Sequence, residues 1–191
     1  MATLTTNKNF LSPTGFQFKI NSNQYANLEY FAVGATLPGV SMTAAEQSYR
    51  GVNLAFTGDR LTFEDLTLRI NVTENLENYV EMHTWLTSIG FPENTKQFSD
   101  FRSATSNTKT STRGESKDIG DVKASTPERA MYSDAMLTIL TNKNNPVVEC
   151  RFRDIFPTSL SGLEYSQNQT DVEYLTATVN FKYTIYEIIT L

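Results

Sequence analysis

Apolar and polar residues alternate along several segments of the chain, which is the pattern of β-strands with one buried and one wet face. The alternation runs over residues 16–20 and is clearest over 66–72, where every second residue is Leu, Ile or Val. Apolar stretches at 30–36 and 136–140 and a further alternation at 148–153 predict additional strands. These segments together predict a mainly β protein.

One helix is predicted where the spacing of apolar residues changes from two to three or four, over residues 75–89. Thr73 or Asn75 can cap its start, and Gly90 and Pro92 end it. We expect its apolar face to carry Leu76, Tyr79, Val80, His83 and Leu86.

Turn-forming residues set the expected ends of the strands. Leu37-Pro38-Gly39 should end the second strand, and Gly58-Asp59 predicts a hairpin turn. Phe156-Pro157-Thr158 predicts a break. The final strand is expected to run unbroken over 175–185, longer than the usual strand of about five or six residues. Because such a strand needs partners along its whole length, we expect neighbouring copies to complete the sheet.

The region from 93 to 133 differs in composition from the rest of the chain. Between Arg102 and Glu128 the apolar residues are only Ala104, Ile119, Val122 and Ala124. So little apolar surface cannot offset the entropy lost on ordering the segment. We therefore expect a single domain over residues 1–191 with a long polar insertion at about 93–133.

Charge and hydropathy make two classes of partner unfavourable. The chain carries a formal net charge of −5, whereas tight binding to nucleic acid requires an excess of Lys and Arg. No apolar stretch approaches the roughly 20 residues needed to cross a bilayer. We expect no specific nucleic-acid site and no membrane span.

Catalytic and metal chemistry have few candidate residues. The chain has one cysteine, Cys150, and one histidine, His83, so a zinc site built from Cys and His within one copy is excluded. Cys150 lies on the apolar side of its strand and His83 on the predicted apolar helix face, and we interpret both as packing residues. We therefore predict no enzyme, no cofactor, and no catalytic, cofactor-binding or metal-binding residues.

Four local features resemble the tail tube family of contractile-tailed phages, including its tube-initiator type of virion protein. They are Ala35 to Gly39 after the first hairpin, Gly58 to Asp65 before the alternating strand, the helix carrying Trp85, and Phe156-Pro157-Thr158 before the final strands. The chain has Phe156 where that family often has Trp. The features follow one another in the family's order and cover most of the chain outside the insertion.

The resemblance implies an antiparallel β-sandwich or barrel-like subunit that closes with its neighbours into a ring-shaped β-barrel. It implies a homo-oligomer of stacked rings, expected to be hexamers, around a lumen through which genomic DNA passes without specific binding. The implied partners are the tail sheath and the baseplate or neck proteins. The implied location is the tail of the virion, after assembly in the host cytoplasm.

Two sets of residues are candidates for this assembly. The residues expected to contact neighbouring subunits are Phe10, Leu11, Leu37, Pro38 and Gly39. The residues expected on the lumen or on a polar barrel face, because they occupy polar positions of long strands, are Arg69, Asn180 and Lys182.

The sequence leaves two alternatives open. A subunit of the same fold could form a baseplate tube initiator or a neck terminator ring, which would stop at single rings. A non-catalytic module that binds carbohydrate or peptide would instead remain monomeric, with its surface aromatic residues gathered in one groove.

Overall fold

The computed structural model of the chain describes residues 10–20, 31–90, 95–96, 132–168 and 174–191. Most of the predicted insertion lies outside these residues, although Ser133 at its end is buried and begins a strand. The described part is mainly β with one long helix, as predicted. Its elements are β1 (Phe16–Ile20), β2 (Ala32–Thr36), β3 (Val40–Tyr49), β4 (Val52–Phe63), β5 (Leu66–Asn71), α1 (Glu77–Gly90), β6 (Ser133–Leu140), β7 (Pro146–Leu160), β8 (Thr176–Lys182) and β9 (Ile185–Thr190).

Seven of these strands form one antiparallel sheet. Its order is β1-β6-β7-β8-β5-β2, and β9 pairs with β7 beside this path. The strands β3 and β4 pair with each other as a separate sheet of two strands. No pairing between β1 and β2 closes the described sheet, so a single copy does not itself form the expected barrel in this part of the chain.

The core lies on the apolar side of this sheet, as the alternation along β5 predicts. β5 and β8 pair from Leu66 opposite Phe181 to Asn71 opposite Thr176, which aligns their inward positions. Burial of one Leu, Ile, Val or Phe side chain at such a position contributes roughly 1.5–3 kcal/mol to the free energy of folding. The fully buried positions of these two strands are Leu66, Leu68, Ile70, Ala177, Val179 and Phe181.

The helix α1 covers the core with a face that overlaps the expected one at Tyr79 but is otherwise different. Its buried residues are Asn78, Met82 and Trp85, and the Trp85 ring lies 6.2 Å from that of Phe181. Val80 is 53% exposed and His83 is exposed, so the expectation that His83 packs against the core is wrong. The buried face begins with a polar residue, Asn78, so hydrophobicity alone favours the neighbouring face of the helix.

The helix begins at Glu77, two residues later than predicted, and Thr73 is the one of the two expected capping residues that bonds to its first residue. The Thr73 hydroxyl accepts a 3.0 Å hydrogen bond from the main-chain N–H of Glu77. The Leu76 carbonyl accepts the first helical bond, from Val80, at 2.8 Å. Leu76 itself has a φ of 58°, so the chain turns sharply into the helix at this residue.

The longest strand is β7, with 15 residues. Its first part pairs with β6 and β9, and its last part, from Phe156 to Leu160, pairs with β8. Asp154 has a φ of 55° at the change of partner, and its Oδ2 accepts a 3.2 Å hydrogen bond from the Thr184 hydroxyl. The expected break at Phe156-Pro157-Thr158 is wrong, because the strand continues through these residues with a register shift at Thr158.

The unbroken final strand expected over 175–185 is also wrong. Tyr183 and Thr184 separate β8 from β9, and both strands pair within the chain. The alternation shifts at this separation, so Ile185 is 39% exposed while Tyr186 packs against the core. An over-long final strand therefore supplies no reason for association. In the described part, β3 and β4 are the strands that pair only with each other and not with the main sheet.

Candidate assembly surface

The hairpin of β3 and β4 lies outside the core. Every residue of β3 is exposed, and in β4 only Gly58 and Phe63 are partly covered. Soluble monomers rarely leave an apolar patch of this kind uncovered. We call the large apolar side chains of this hairpin, which are 44–62% exposed, the hairpin surface: Val40, Met42, Tyr49, Val52, Leu54, Phe56 and Leu61.

The pairing register divides the hairpin surface between two faces. Near the tip, Tyr49 lies opposite Val52, and Leu54 and Phe56 lie on the same face two and four pairs further along. The other face near the tip is polar, where the Asn53 amide donates a 3.3 Å hydrogen bond to the Glu46 carboxylate. Toward the core the apolar residues occupy this second face, with Met42 opposite Leu61. The hairpin thus presents apolar area on one face at its tip and on the opposite face at its base.

The hairpin turn lies at Arg50-Gly51, and the expectation of a turn at Gly58-Asp59 is wrong. Arg50 and Gly51 have φ values of 50° and 83°, as a two-residue turn of type I′ requires. Gly58 and Asp59 instead lie inside β4, where the register shifts opposite Thr43. The signal that could have located the hairpin is Gly51 between Tyr49 and the alternation of Val52, Leu54 and Phe56.

The two feet of the hairpin are joined to each other at Gly39 and Glu64. The Glu64 N–H donates to the Gly39 carbonyl at 3.0 Å, and the Gly39 N–H donates to the Glu64 carboxylate at 3.2 Å. Each foot is also bonded to a tyrosine, one directly after β8 and one in β9. The Tyr183 hydroxyl donates to the Glu64 carbonyl at 2.8 Å, and the Tyr186 hydroxyl donates to the Pro38 carbonyl at 3.1 Å.

The residues predicted to contact neighbours fall in two places. Leu37, Pro38 and Gly39 form the link between β2 and β3, so they lie at one foot of the hairpin. Leu37 is 42% exposed, whereas Pro38 is buried. Phe10 and Leu11 precede β1, with exposed fractions of 93% and 64%. Leu37, Pro38 and Gly39 therefore adjoin the hairpin surface, and none of the five predicted contact residues belongs to it.

The residues predicted for the lumen share one face of the main sheet. We call the outward positions of β5 and β8 the polar sheet face. Thr67 and Asn180 are opposite each other on it, and the Thr67 hydroxyl donates to Asn180 Oδ1 at 2.9 Å. Lys182 Nζ lies 3.7 Å from Asp65 Oδ1, which compensates its charge. The members of the polar sheet face are Thr67, Arg69, Asn71, Thr176, Thr178, Asn180 and Lys182.

The described residues offer no metal site and no spanning helix. No group of three or more His, Cys, Asp or Glu side chains in these ranges could hold a metal ion. No described helix is long and apolar enough to cross a bilayer. Cys150 is fully buried, and burial raises the pKa of its thiol, which agrees with its interpretation as a small core residue.

Fold and surface define a class of protein: a β-sheet structural domain with an apolar hairpin projecting from it. The sequence is matched over residues 3–189 by the family model described as "Phage tail tube protein". The chain belongs to this family of tail tube proteins, which are structural components. No curated protein sequence matches the chain significantly.

Solved structures of contractile injection systems share the fold. The anti-feeding prophage cap, described as a tube terminating cap, is 12% identical with a TM-score of 0.62, over 99% of this chain and 97% of that chain. The 6-fold symmetrised anti-feeding prophage baseplate is 11% identical with a TM-score of 0.55, over 99% and 97%. A chain of the PVC sheath-tube complex in the extended state is 11% identical with a TM-score of 0.54, over 99% and 100%.

Proposed function

We propose that the chain is a non-catalytic structural subunit of a phage tail tube, and that its copies close into hexameric rings. The rings stack around a lumen that conducts genomic DNA. Membership of the tail tube family supports this role. The single observation that carries it is the hairpin surface, whose seven large apolar side chains no other part of the described chain buries.

The hairpin surface supplies the driving force for association. Burial of one Val, Leu or Phe side chain contributes roughly 1.5–3 kcal/mol. Tyr49, Val52, Leu54 and Phe56 near the tip can together offset the entropy cost of bringing two copies together. A neighbouring copy is the occupant we propose, because every ring position then buries the same hairpin and closure leaves no exposed hairpin.

The polar sheet face is the proposed wall of the lumen or polar face of the barrel. Hydroxyl and amide groups dominate it, Lys182 lies beside Asp65, and Arg69 is the second cation among its seven members. A wall with little net positive charge gives phosphates few sites at which to release counterions. DNA would therefore pass along this face without being retained.

The proposed partners are the tail sheath and the baseplate or neck proteins, with assembly in the host cytoplasm and a final place in the virion tail. The similar folds in a sheath-tube complex, a baseplate and a tube terminating cap support this set. The 6-fold symmetry of the anti-feeding prophage baseplate supports a hexameric ring.

Purified protein and two hairpin variants test the proposal. Phe56 and Thr57 are adjacent and exposed but lie on opposite faces of the hairpin near its tip. Phe56→Glu places a charge on the apolar face and should raise the concentration needed for assembly by more than about tenfold. Thr57→Glu adds the same charge to the polar face and should leave assembly unchanged. Sedimentation and negative-stain microscopy measure the assembly of both variants.

The wild-type particles distinguish the alternatives of the same fold. Long stacked tubes support a principal tube subunit, whereas isolated rings indicate an initiator or terminator. A wild-type protein that stays monomeric at high concentration contradicts the proposal and favours a binding module. Equal effects of the two glutamate variants would show that the apolar face of the hairpin is not the contact.

A further inference from the structure

Two tyrosine hydroxyls hold the two feet of the hairpin. Tyr183 donates to the carbonyl of Glu64, directly after β4, at 2.8 Å. Tyr186 donates to the carbonyl of Pro38, shortly before β3, at 3.1 Å. Both tyrosines belong to the short stretch between β8 and the middle of β9. We call Tyr183 and Tyr186 the tyrosine clamp.

The rings of the tyrosine clamp are themselves fixed by other aromatic side chains. Phe63, the last residue of β4, lies 6.1 Å from the ring of Tyr183 and 5.7 Å from that of Tyr186. On the other side Phe152 of the core lies 5.1 Å and 5.5 Å from the same two rings. Edge-on and tilted packing of this kind fixes ring orientation. The hydroxyls are therefore aimed at the two carbonyls by the core.

The direction of the hairpin depends on its feet, because its remaining length is exposed. A strand of 10 residues such as β3 spans about 33 Å at roughly 3.3 Å per residue. A change of about 10° at the feet would move the tip by about 6 Å, which is more than a side-chain contact tolerates. A small change of angle at the feet thus becomes a large displacement at the tip, where a neighbour would bind.

We propose that Tyr183 and Tyr186 are positioning residues for assembly, whose hydroxyls set the angle at which the hairpin leaves the core. This rests on the proposed function, in which the hairpin surface contacts a neighbouring copy. The clamp contributes no area to that contact, and it acts through the main chain at Pro38 and Glu64. A ring closes only when every hairpin points the same way.

The hydroxyl of Tyr183 stays a donor across the physiological range. Burial raises its pKa to about 12, and the charges of Tyr186, Asp65 and Glu64 add to the effect. The hydrogen bond to Glu64 is consequently retained wherever the protein assembles near neutral pH.

The double variant Tyr183→Phe with Tyr186→Phe removes both hydroxyls and keeps both rings. Tyr79→Phe is the matched control, because the Tyr79 hydroxyl also donates to a main-chain carbonyl, that of Ser161, at 3.2 Å, away from the hairpin. Spin labels at Ser48→Cys in the hairpin and Thr84→Cys in the helix, both exposed, report the angle as a distance distribution in dilute protein. Cys150 is fully buried and does not compete for the label.

We expect the double variant to widen this distance distribution about twofold, and to need about tenfold more protein for half-assembly. Tyr79→Phe should match the wild type in both measurements. A double variant with an unchanged distribution, or one that assembles like the wild type, overturns the inference. A wild-type protein that forms no rings would overturn the proposed function, and the inference with it. The wild-type sample therefore distinguishes this failure from a failure of the inference alone.

Discussion

The α-carbon of Gly58 in β4 lies so close to the main chain of Thr43 in β3 that a methyl group at position 58 would overlap it, reaching 2.7 Å from the Thr43 carbonyl carbon. This contact lies where one residue of β3 faces three residues of β4. Gly58→Ala should displace the two strands there and turn the tip of the hairpin. Forced overpacking costs about 1–3 kcal/mol, and the exposed hairpin has little packing to absorb it. We expect ring formation to be lost and the thermal midpoint of the core to stay unchanged.

Gly162→Ala is the control for this variant, because no atom lies within 4 Å of the added methyl group. Circular dichroism measures the thermal midpoint of both proteins, and sedimentation measures their ring formation. An assembled Gly58→Ala protein would show that the geometry of the hairpin is unimportant. A large fall in its thermal midpoint would show that the hairpin and the core unfold together.

The loop before the helix is held by one buried side chain. Asn78 is fully buried; its amide donates to the Asn71 carbonyl at 2.6 Å, and its Oδ1 accepts from the Thr73 N–H at 3.2 Å. Asn78→Ala leaves both main-chain groups without these partners, so the free energy of unfolding should fall by about 2–3 kcal/mol. Thr84→Ala, on the exposed side of the same helix, should change it by less than about 0.5 kcal/mol. Unfolding in guanidinium chloride measures the free energy of unfolding of both variants. Equal losses in the two variants would contradict a structural role of Asn78.

Stability should fall at alkaline pH because of Tyr183. Its pKa is raised from 10.0 to about 12 in the folded chain, so above pH 10 the unfolded state loses this proton first. The contribution of Tyr183 is therefore complete below pH 10 and is lost as the pH rises through about 12. Tyr183→Phe should make the alkaline decline in unfolding free energy shallower than in the wild type. Identical slopes for the two proteins would contradict the assignment.

The polar sheet face should be enclosed in assembled particles. A cysteine at Thr176, on that face, should react with a small maleimide in both monomers and tubes, but with a protein-sized maleimide conjugate only in monomers. A cysteine at Thr84, on the exposed side of the helix, should react with the large reagent in both states unless a sheath covers it. Labelling of Thr176→Cys by the large reagent in intact tubes would place the polar sheet face outside the lumen.

Much of the core could be predicted from the sequence because one physical rule governs each of its elements. Along β5 burial alternates without interruption, and the apolar residues of the sequence alternate in the same way. The helix boundaries follow from a capping Thr73 and a terminating Gly90. Its buried face was missed because Asn78 is buried by hydrogen bonding and not by hydrophobicity.

The hairpin and the two changes of direction could not be predicted in the same way. The apolar residues of the hairpin change face between tip and base, so neither face shows continuous alternation. β7 changes partners at Asp154, a non-glycine residue with a positive φ that no turn motif announces. β8 and β9 are separated by Tyr183 and Thr184, which continue an apolar-polar alternation, so the sequence indicates one strand where the chain forms two.

Contact between the hairpin surface and a second copy can be measured directly with a photo-crosslinking residue at position 54. Leu54 lies on the apolar face near the tip, and the adjacent Asn53 lies on the polar face and serves as the comparison site. In particles assembled from these proteins, position 54 should give crosslinked dimers in high yield and position 53 few. Assembled particles in which position 54 crosslinks only within its own chain would contradict association through the hairpin.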